Sequence, residues 1–182
     1  MSRSAVSRRF VVMTERARDE MMRSDLSTLE LVALMIDGVH FANHLCVVAL
    51  GITADGTKIP LAAVEGDTEN ATVVKDLLVN LRERGLDMTR PILCVLDGAK
   101  ALAAAVNAVF DRPLIQRCQL HKIRNVEAKL PAAMASTVAK KMRAAYHDAD
   151  PLRAEAALEA LARSLDKTHP GAAGSRREGP AT

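Results

Sequence analysis

Two aspartates in matching sequence contexts are the residues of this chain best suited to chemistry. Asp37 follows the apolar run Leu31–Ile36. Asp97 follows the run Pro91–Leu96, and a glycine comes directly after each aspartate. An apolar run of this length between turn signals predicts a buried strand, and α/β proteins place functional side chains at the carboxyl ends of such strands. Two carboxylates brought together there would bind a hard cation such as Mg²⁺ or Mn²⁺.

The alternative interpretation of each aspartate is a turn that ends a strand. Asp-Gly is among the commonest turn dipeptides, so either position alone is typical of a turn. A metal site is favoured only if the strands that carry Asp37 and Asp97 are neighbours in the sheet.

Hydrophobic periodicity predicts the elements that position the two aspartates. The predicted strands are 31–36, 46–52, 58–64, 91–96 and 113–116. The predicted N-terminal helix is 2–12, with a continuation through 14–22, and a second helix is capped by Thr68 and ends at Arg84. The remaining predicted helices are 99–109, 119–129, 132–147 and 151–165. Three meandering strands followed by βα units predict an α/β mixed five-stranded sheet with flanking helices, in the order of the ribonuclease H-like fold. The first and fourth strands of that fold are parallel neighbours, which would place Asp37 beside Asp97.

Composition is compatible with one aliphatic core and a small appendage. The chain has 182 residues, of which 49% are hydrophobic and 2% aromatic. Its net charge of +3 is mild, but basic residues cluster near the N-terminus and after residue 116. Clustered bases suit a polyanion such as DNA, and the alternative is a set of solvated helix faces.

Sequence features predict a cytoplasmic, nucleoid-associated location without membrane contact. The N-terminus lacks the apolar segment of a secretory signal, and no apolar run reaches membrane-spanning length. Three cysteines, an odd number, suggest reduced core residues rather than disulfides.

Phosphohydrolases of the haloacid dehalogenase type offer a rival interpretation, because they also begin with an apolar strand ending in aspartate. They need a second acid two residues later, where this chain has Val39. That difference disfavours the phosphohydrolase interpretation.

Four blocks of the sequence resemble the Mutator-type transposases of bacterial insertion sequences. In chain order the blocks are 36–41 (Ile-Asp-Gly-Val-His-Phe), 65–70 (Glu-Gly-Asp-Thr-Glu-Asn), 95–102 (Val-Leu-Asp-Gly-Ala-Lys-Ala-Leu) and 116–126 (Gln-Arg-Cys-Gln-Leu-His-Lys-Ile-Arg-Asn-Val). The resemblance covers roughly residues 2 to 170. It implies DNA transposition by a DDE mechanism, in which three acids hold two Mg²⁺ or Mn²⁺ ions. By resemblance, Asp37 and Asp97 are the first and second catalytic, metal-binding acids.

The resemblance also implies residues in the vicinity of the active site. Cys118 and His121 match the family's Cys-x-x-His signature, although one such pair cannot complete a zinc site and Cys118 is equally typical of a packing residue. Glu65 and Asn70 belong to the second block, whose alternative interpretation is a polar loop with Thr68 capping the next helix.

DNA is the partner that the resemblance implies, through the terminal inverted repeats of an element. The expected contacts are Arg3, Arg8, Arg9, Lys122 and Arg124. Residues 2–10 resemble the recognition helix of a helix-turn-helix, which normally depends on a preceding helix. Other expected partners are a full-length transposase or a second copy of the chain.

The third acid of the family has no counterpart in its expected context. Glu155 and Glu159 lie on the last predicted helix, and Glu178 lies in a segment whose composition predicts disorder. We therefore expect a chain truncated at both ends and catalytically inactive by itself, or else a non-catalytic fragment that modulates transposition. The predicted organisation is a helix-turn-helix remnant (1–28), a partial ribonuclease H-like core (29–130), the start of a helical insertion (131–167) and a disordered tail (168–182).

Overall fold

The sheet that carries Asp37 and Asp97 has five strands in the order β3-β2-β1-β4-β5. The computed structural model describes residues 3–41, 43–68 and 70–179. Its strands are β1 (Leu31–Phe41), β2 (His44–Thr53), β3 (Lys58–Glu65), β4 (Ile92–Leu96) and β5 (Pro113–Arg117). Its helices are α1 (Arg3–Arg23), α2 (Ala71–Glu83), α3 (Lys100–Val109), α4 (Gln119–Glu127), α5 (Ala132–Tyr146), α6 (Pro151–Leu165) and α7 (Pro170–Arg177).

The strand directions confirm the predicted mixed sheet and are consistent with the ribonuclease H-like fold. β1 and β2 are antiparallel, as are β2 and β3, whereas β1 and β4 are parallel. The crossover from β3 to β4 runs through α2, which a parallel connection requires. The first and fourth strands are therefore neighbours, as the metal-site hypothesis needs.

One face of this sheet forms the main core. Its buried strand residues include Leu34, Ile36, Val47, Cys94 and Leu96. The residues of α2 and α3 that complete the same core are Val74, Leu77, Leu78, Leu81, Leu102, Ala105, Val106 and Val109. The spacing within α2 is that of an amphipathic helix, and each fully buried leucine contributes about 2 kcal/mol. Burial raises the pKa of the Cys94 thiol to about 12, so this cysteine is an unreactive core residue.

The C-terminal end of α1 accepts hydrogen bonds from the guanidinium group of Arg84. Arg84 donates hydrogen bonds to the carbonyl oxygens of Met21 at 2.7 Å, Ser24 at 2.9 Å and Leu61 at 2.9 Å. It also donates to the Asn80 side-chain oxygen at 3.1 Å. Arg84 thus joins the N-terminal helix, β3 and α2. The predicted continuation of the N-terminal helix is confirmed, because α1 runs without a break from Arg3 to Arg23.

The chain divides into two compact units, the first ending at Gln116 and the second beginning at Arg117. The predicted core extended to residue 130, but α4 contacts α5 and α7, so it belongs to the helical unit. The core of that unit contains Ile123, Val126, Val138, Ala139, Met142, Leu158, Leu161 and Leu165.

The segment from residue 168 onward differs from its prediction. α7 spans Pro170–Arg177, and Ala172 and Ala173 have no exposed surface. Disorder is therefore wrong for this helix, because small side chains let it pack closely against α4 and α6. None of the helices in the described ranges is long and apolar enough to cross a bilayer.

Candidate active site

Strand register places Asp37 and Asp97 side by side. Ile36 lies opposite Leu96 in the parallel β1–β4 pair, and each aspartate is the next residue. Adjacent strands lie about 4.8 Å apart, so the two backbones at the aspartates are close neighbours. Met35 and Val95 are also register partners, and side chains two residues apart share a face. The Asp37 side chain therefore projects from the sheet face opposite the Ile36–Leu96 core, and Asp97 directly follows the last residue of the neighbouring strand.

Asp37 lies inside a strand rather than at its end. β1 continues to Phe41, and Asp37 pairs with Val48 of β2. The turn interpretation of Asp37-Gly38 is therefore wrong, as is the predicted strand end at Ile36. Gly38 is needed for close packing instead, because a Cβ there would lie 3.2 Å from the methyl group of Thr68.

Asp97 does end its strand and forms a turn. Its Oδ1 accepts a hydrogen bond from the Ala99 backbone N–H at 2.8 Å. Gly98 has φ +109°, a conformation that glycine adopts without strain. The turn leads directly into α3 and orients the Asp97 carboxylate, so the turn and metal interpretations are compatible at this position.

The donor set at this edge fits a hard cation in part. Mg²⁺ is commonly held by one or two carboxylates, with water and substrate phosphates completing its octahedron. Asp37 and Asp97 supply two such carboxylates at adjacent positions of the sheet. Across the described ranges, no three His, Cys, Asp or Glu side chains are grouped closely enough to hold a metal ion. The residues present can thus contribute two of the ligands of a divalent ion.

The second predicted block has mainly structural contacts. Asn70, not Thr68, caps α2: its side-chain oxygen accepts from the N–H groups of Thr72 at 3.1 Å and Val73 at 3.4 Å. The predicted Thr68 cap is wrong, because Thr68 is buried near Gly38.

Glu65 shares the sheet face of Asp37 but lies two strands away. It pairs with Cys46 of β2, which in turn pairs with Val39 of β1. That separation is roughly 10 Å across the sheet. The Oε1 of Glu65 contacts the Nδ1 of His44 at 2.6 Å, in a pair whose side chains are mostly exposed. Glu65 therefore shares the sheet face of Asp37, and its carboxylate is paired with His44.

Cys118 and His121 belong to the second unit, at the beginning of α4. Cys118 is the N-cap residue, a half-buried free thiol whose carbonyl oxygen accepts from the Lys122 N–H at 2.9 Å. His121 is half-buried three residues later.

The basic residues expected to contact DNA differ in accessibility. Arg124 is exposed, whereas Lys122 is only 7% exposed and donates from Nζ to the carbonyl oxygen of Glu178. A direct surface contact through Lys122 is thus not available in this conformation. The side chains of Arg3, Arg8 and Arg9 lie outside the described part of the structure, and their DNA contact stays a prediction.

The three glutamates considered as a third acid are each paired with an arginine. The pairs are Glu155 with Arg176 at 2.8 Å, Glu159 with Arg177 at 2.9 Å, and Glu178 with Arg117 at 2.8 Å. Sequence reasoning missed this set of arginines, because no local pattern links residues up to 61 positions apart.

Comparison with known proteins gives the same family as the sequence blocks. Residues 24–180 match the family described as Transposase, Mutator family. The chain is 35% identical over 154 residues to the transposase for insertion sequence element IS6120 of Mycolicibacterium smegmatis. The aligned segment covers 81% of this chain and 47% of that protein. It is 31% identical over 125 residues to the transposase for element IST2 of Acidithiobacillus ferrooxidans, covering 69% of this chain and 42% of that protein.

The chain therefore spans less than half the length of these two relatives. The family match extends from the end of α1 through β1–β5 and α7, and so includes both Asp37 and Asp97. On this coverage, the chain belongs to the Mutator family of transposases.

Proposed function

We propose that this chain carries the first two metal-binding acids of a DDE insertion-sequence transposase that cleaves and joins DNA strands. The observation that supports the proposal is the register of two adjacent parallel strands, in which Ile36 lies opposite Leu96 and Asp37 and Asp97 are the next residues. Such a pair suits a hard divalent cation, Mg²⁺ or Mn²⁺, and a phosphodiester substrate supplies further oxygen ligands.

The chain holds the backbone of Asp37 and the carboxylate of Asp97 in defined positions. Asp37 is fixed in the backbone of a strand paired with β2, and Asp97 is held by the Ala99 N–H. When bound, a pair of divalent ions would polarise the phosphodiester and lower the pKa of the attacking water or hydroxyl. The role of Asp37 and Asp97 is to position that charge at the edge of the sheet.

By itself the chain is expected not to cleave DNA. Two carboxylates neutralise only half the charge of two divalent cations and leave more of their positions to water. In the described residues no third acid is grouped with Asp37 and Asp97.

The experiment is a metal titration followed by a cleavage assay. The purified chain is titrated with Mn²⁺ by calorimetry, alongside Asp37→Asn, Asp97→Asn and Asp76→Asn as a matched control on the exposed side of α2. Binding is expected for the unmodified chain and the control, and loss of binding for the two site variants. Equal Mn²⁺ binding by all four proteins would overturn the metal site.

The cleavage assay tests catalytic incompleteness separately. Terminal-repeat DNA is incubated with the chain and Mg²⁺ or Mn²⁺, and no strand cleavage is expected. Cleavage that disappears in Asp97→Asn would show that the two acids suffice, and the expectation of inactivity would then be wrong.

A second candidate function is a non-catalytic fragment that binds DNA or a full-length transposase and dampens transposition. The lack of a third grouped acid among the described residues favours it. Co-purification with an intact relative, together with reduced transposition when both are present, would support this role. A chain with no affinity for DNA or for the intact relative would exclude it.

A further inference from the structure

Three cations converge inside the second unit, away from the aspartates. The Arg117 side chain is 13% exposed, the Arg176 side chain 10% and Lys122 7%. Buried cations are rarely left without compensation, because removing an ion from water costs several kcal/mol. Burial, and then the positive charge of Arg117, lower the pKa of Lys122 to about 8, with Arg176 acting in the same direction. The interior of this cluster therefore has an excess of positive charge.

Two mostly exposed carboxylates compensate part of the positive charge of the cluster. Glu178 is 52% exposed and its Oε2 lies 2.8 Å from the Nη1 of Arg117. Glu155 is 67% exposed and its Oε1 lies 2.8 Å from the Nη2 of Arg176. Three cations thus face two carboxylates, and the Nε atoms of both arginines are buried without a hydrogen-bond acceptor.

Glu178 alone serves two of the three cations. Its carboxylate accepts from Arg117, and its backbone carbonyl oxygen accepts from Lys122. It follows the last residue of α7, with φ −50° and ψ 120°, and its N–H donates to the Gly174 carbonyl oxygen at 2.9 Å. A rotation at this C-cap would withdraw both oxygens from the cluster without unwinding α7. An incoming oxyanion could then take both hydrogen bonds.

We propose that Arg117, Lys122 and Arg176 form a phosphate-binding site of the second unit, in which Glu178 holds the place of a backbone phosphate of DNA. A phosphodiester presents two charged oxygens that suit guanidinium and ammonium donors. The identity of the ligand as DNA rests on the proposed function. The site itself rests on the burial and charge of the cluster.

This assignment changes the expected role of Lys122. In the conformation described, Lys122 is buried beneath Glu178 and cannot reach an exposed surface groove. It becomes a DNA contact only after Glu178 leaves, so Glu178 acts as a competitor of the phosphate. Arg177, the neighbour of Arg176, is not part of the cluster, because it is paired with Glu159 and Asp166 at 2.9 and 2.6 Å.

The test measures binding of duplex DNA by fluorescence anisotropy in EDTA, so that the aspartate pair makes no metal-dependent contribution. Glu178→Gln is compared with Glu159→Gln, since both remove one negative charge from the unit. Glu178→Gln is expected to bind DNA about tenfold more tightly, the size of one charged hydrogen-bond competition, and Glu159→Gln less than about twofold more tightly.

Two further variants each remove one positive charge, Lys122→Met from inside the cluster and Arg177→Met from outside it. Lys122→Met is expected to weaken DNA binding in the Glu178→Gln background and to reduce the slope of log affinity against log salt by about 1, whereas Arg177→Met leaves that slope within about 0.3 of its value. Far-ultraviolet circular dichroism confirms that each variant is folded. Because local unfolding would expose the three buried cations and also raise DNA affinity, the gain of Glu178→Gln counts only if its circular dichroism spectrum matches that of the unmodified chain.

Inorganic phosphate serves as the second probe, by calorimetry. Tighter binding of both DNA and phosphate by Glu178→Gln supports the proposal. Tighter binding of phosphate with unchanged DNA affinity overturns the assignment to DNA, and no change with either probe overturns the site. Asp76→Asn is included as the control for loss of one exposed carboxylate and should behave like the unmodified chain with both probes. Both probes are used in EDTA, so a failed metal site shows only in the Mn²⁺ titration and a failed phosphate site shows only here.

Discussion

Replacing Asp97 by asparagine is expected to stabilise the metal-free protein and to abolish its response to divalent cations. The two aspartates follow register partners on adjacent strands, whose backbones lie about 5 Å apart, and two like charges at that separation repel by about 3 kcal/mol at an effective dielectric constant of 20. Both residues are partly exposed, so solvent screening reduces the effect to about 1 kcal/mol. Asparagine keeps the Oδ1 that accepts from the Ala99 N–H, so the turn is preserved.

This change in the free energy of unfolding corresponds to a shift in melting temperature. A change of 1 kcal/mol shifts the midpoint of a domain near this size by about 4 °C. A cation present at ten times its dissociation constant stabilises the folded state by about 1.4 kcal/mol, or about 5 °C. The unmodified chain should therefore gain about 5 °C with Mn²⁺, and Asp97→Asn should melt about 4 °C higher in EDTA and gain nothing from Mn²⁺.

The assay is differential scanning fluorimetry in EDTA and in MnCl₂, with Asp76→Asn as the control for loss of one exposed carboxylate. The control should melt within about 1 °C of the unmodified chain and keep the Mn²⁺ response, because surface substitutions change stability by less than about 0.5 kcal/mol. If Asp97→Asn melted lower in EDTA and still gained stability from Mn²⁺ as the unmodified chain does, the inferred proximity of the two carboxylates would be refuted.

Three further predictions concern the scaffold and the helical unit. Lys122 has a pKa of about 8 in the folded chain and near 10.5 in the unfolded chain, so between these pH values the unfolded chain binds an extra proton and the free energy of unfolding rises with pH. Lys122→Met should increase the free energy of unfolding by about 2 kcal/mol at pH 7 and abolish this rise. Urea unfolding from pH 7 to 10.5 measures both effects. Arg84→Met should lower the free energy of unfolding by about 3 kcal/mol, because three backbone carbonyl groups lose their donor, whereas the exposed Arg82→Met should change it by less than about 0.5 kcal/mol in the same assay. Gly85→Ala should cost about 2 kcal/mol in chemical denaturation, because φ is +95° and the new Cβ would lie 2.9 Å from that of Ser27; an unchanged midpoint would contradict the strain.

The positions of Asp37 and Asp97 could be predicted because each follows an apolar strand of ordinary length. Leu34 and Ile36 of the first run are buried together with Ile92, Cys94 and Leu96 of the second, and strand order makes the two runs neighbours. Hydrophobic pattern and topology agree at these residues, so local reasoning reaches the correct placement.

The end of β1 could not be predicted in the same way. Residues 37–41 contain aspartate, glycine and histidine, which are poor strand formers. They are extended because β2 pairs with them, from Asp37 opposite Val48 to Phe41 opposite His44. That pairing is a tertiary contact which a local pattern does not contain.

In the helical unit, composition and local charge likewise do not predict which residues are buried. Gly-Ala-Ala-Gly at residues 171–174 is typical of a flexible segment, yet the two alanines are buried by packing against other helices. The cluster brings Arg117 and Lys122, which are close in the chain, together with Arg176 of the distant helix α7. Sequence reasoning identified a basic stretch there but could not indicate which bases are inside.

The extension of β1 beyond Asp37 has a consequence for how the site tolerates mutation. β4 ends at Leu96, and among the described residues no strand pairs with the β4-side edge of β1 from Asp37 onward. Every second residue of that stretch turns its peptide N–H and C=O toward the gap where β4 has stopped. Hydrogen-bonding groups beside the two carboxylates are therefore supplied by the main chain, and side-chain substitution leaves them in place unless proline is introduced.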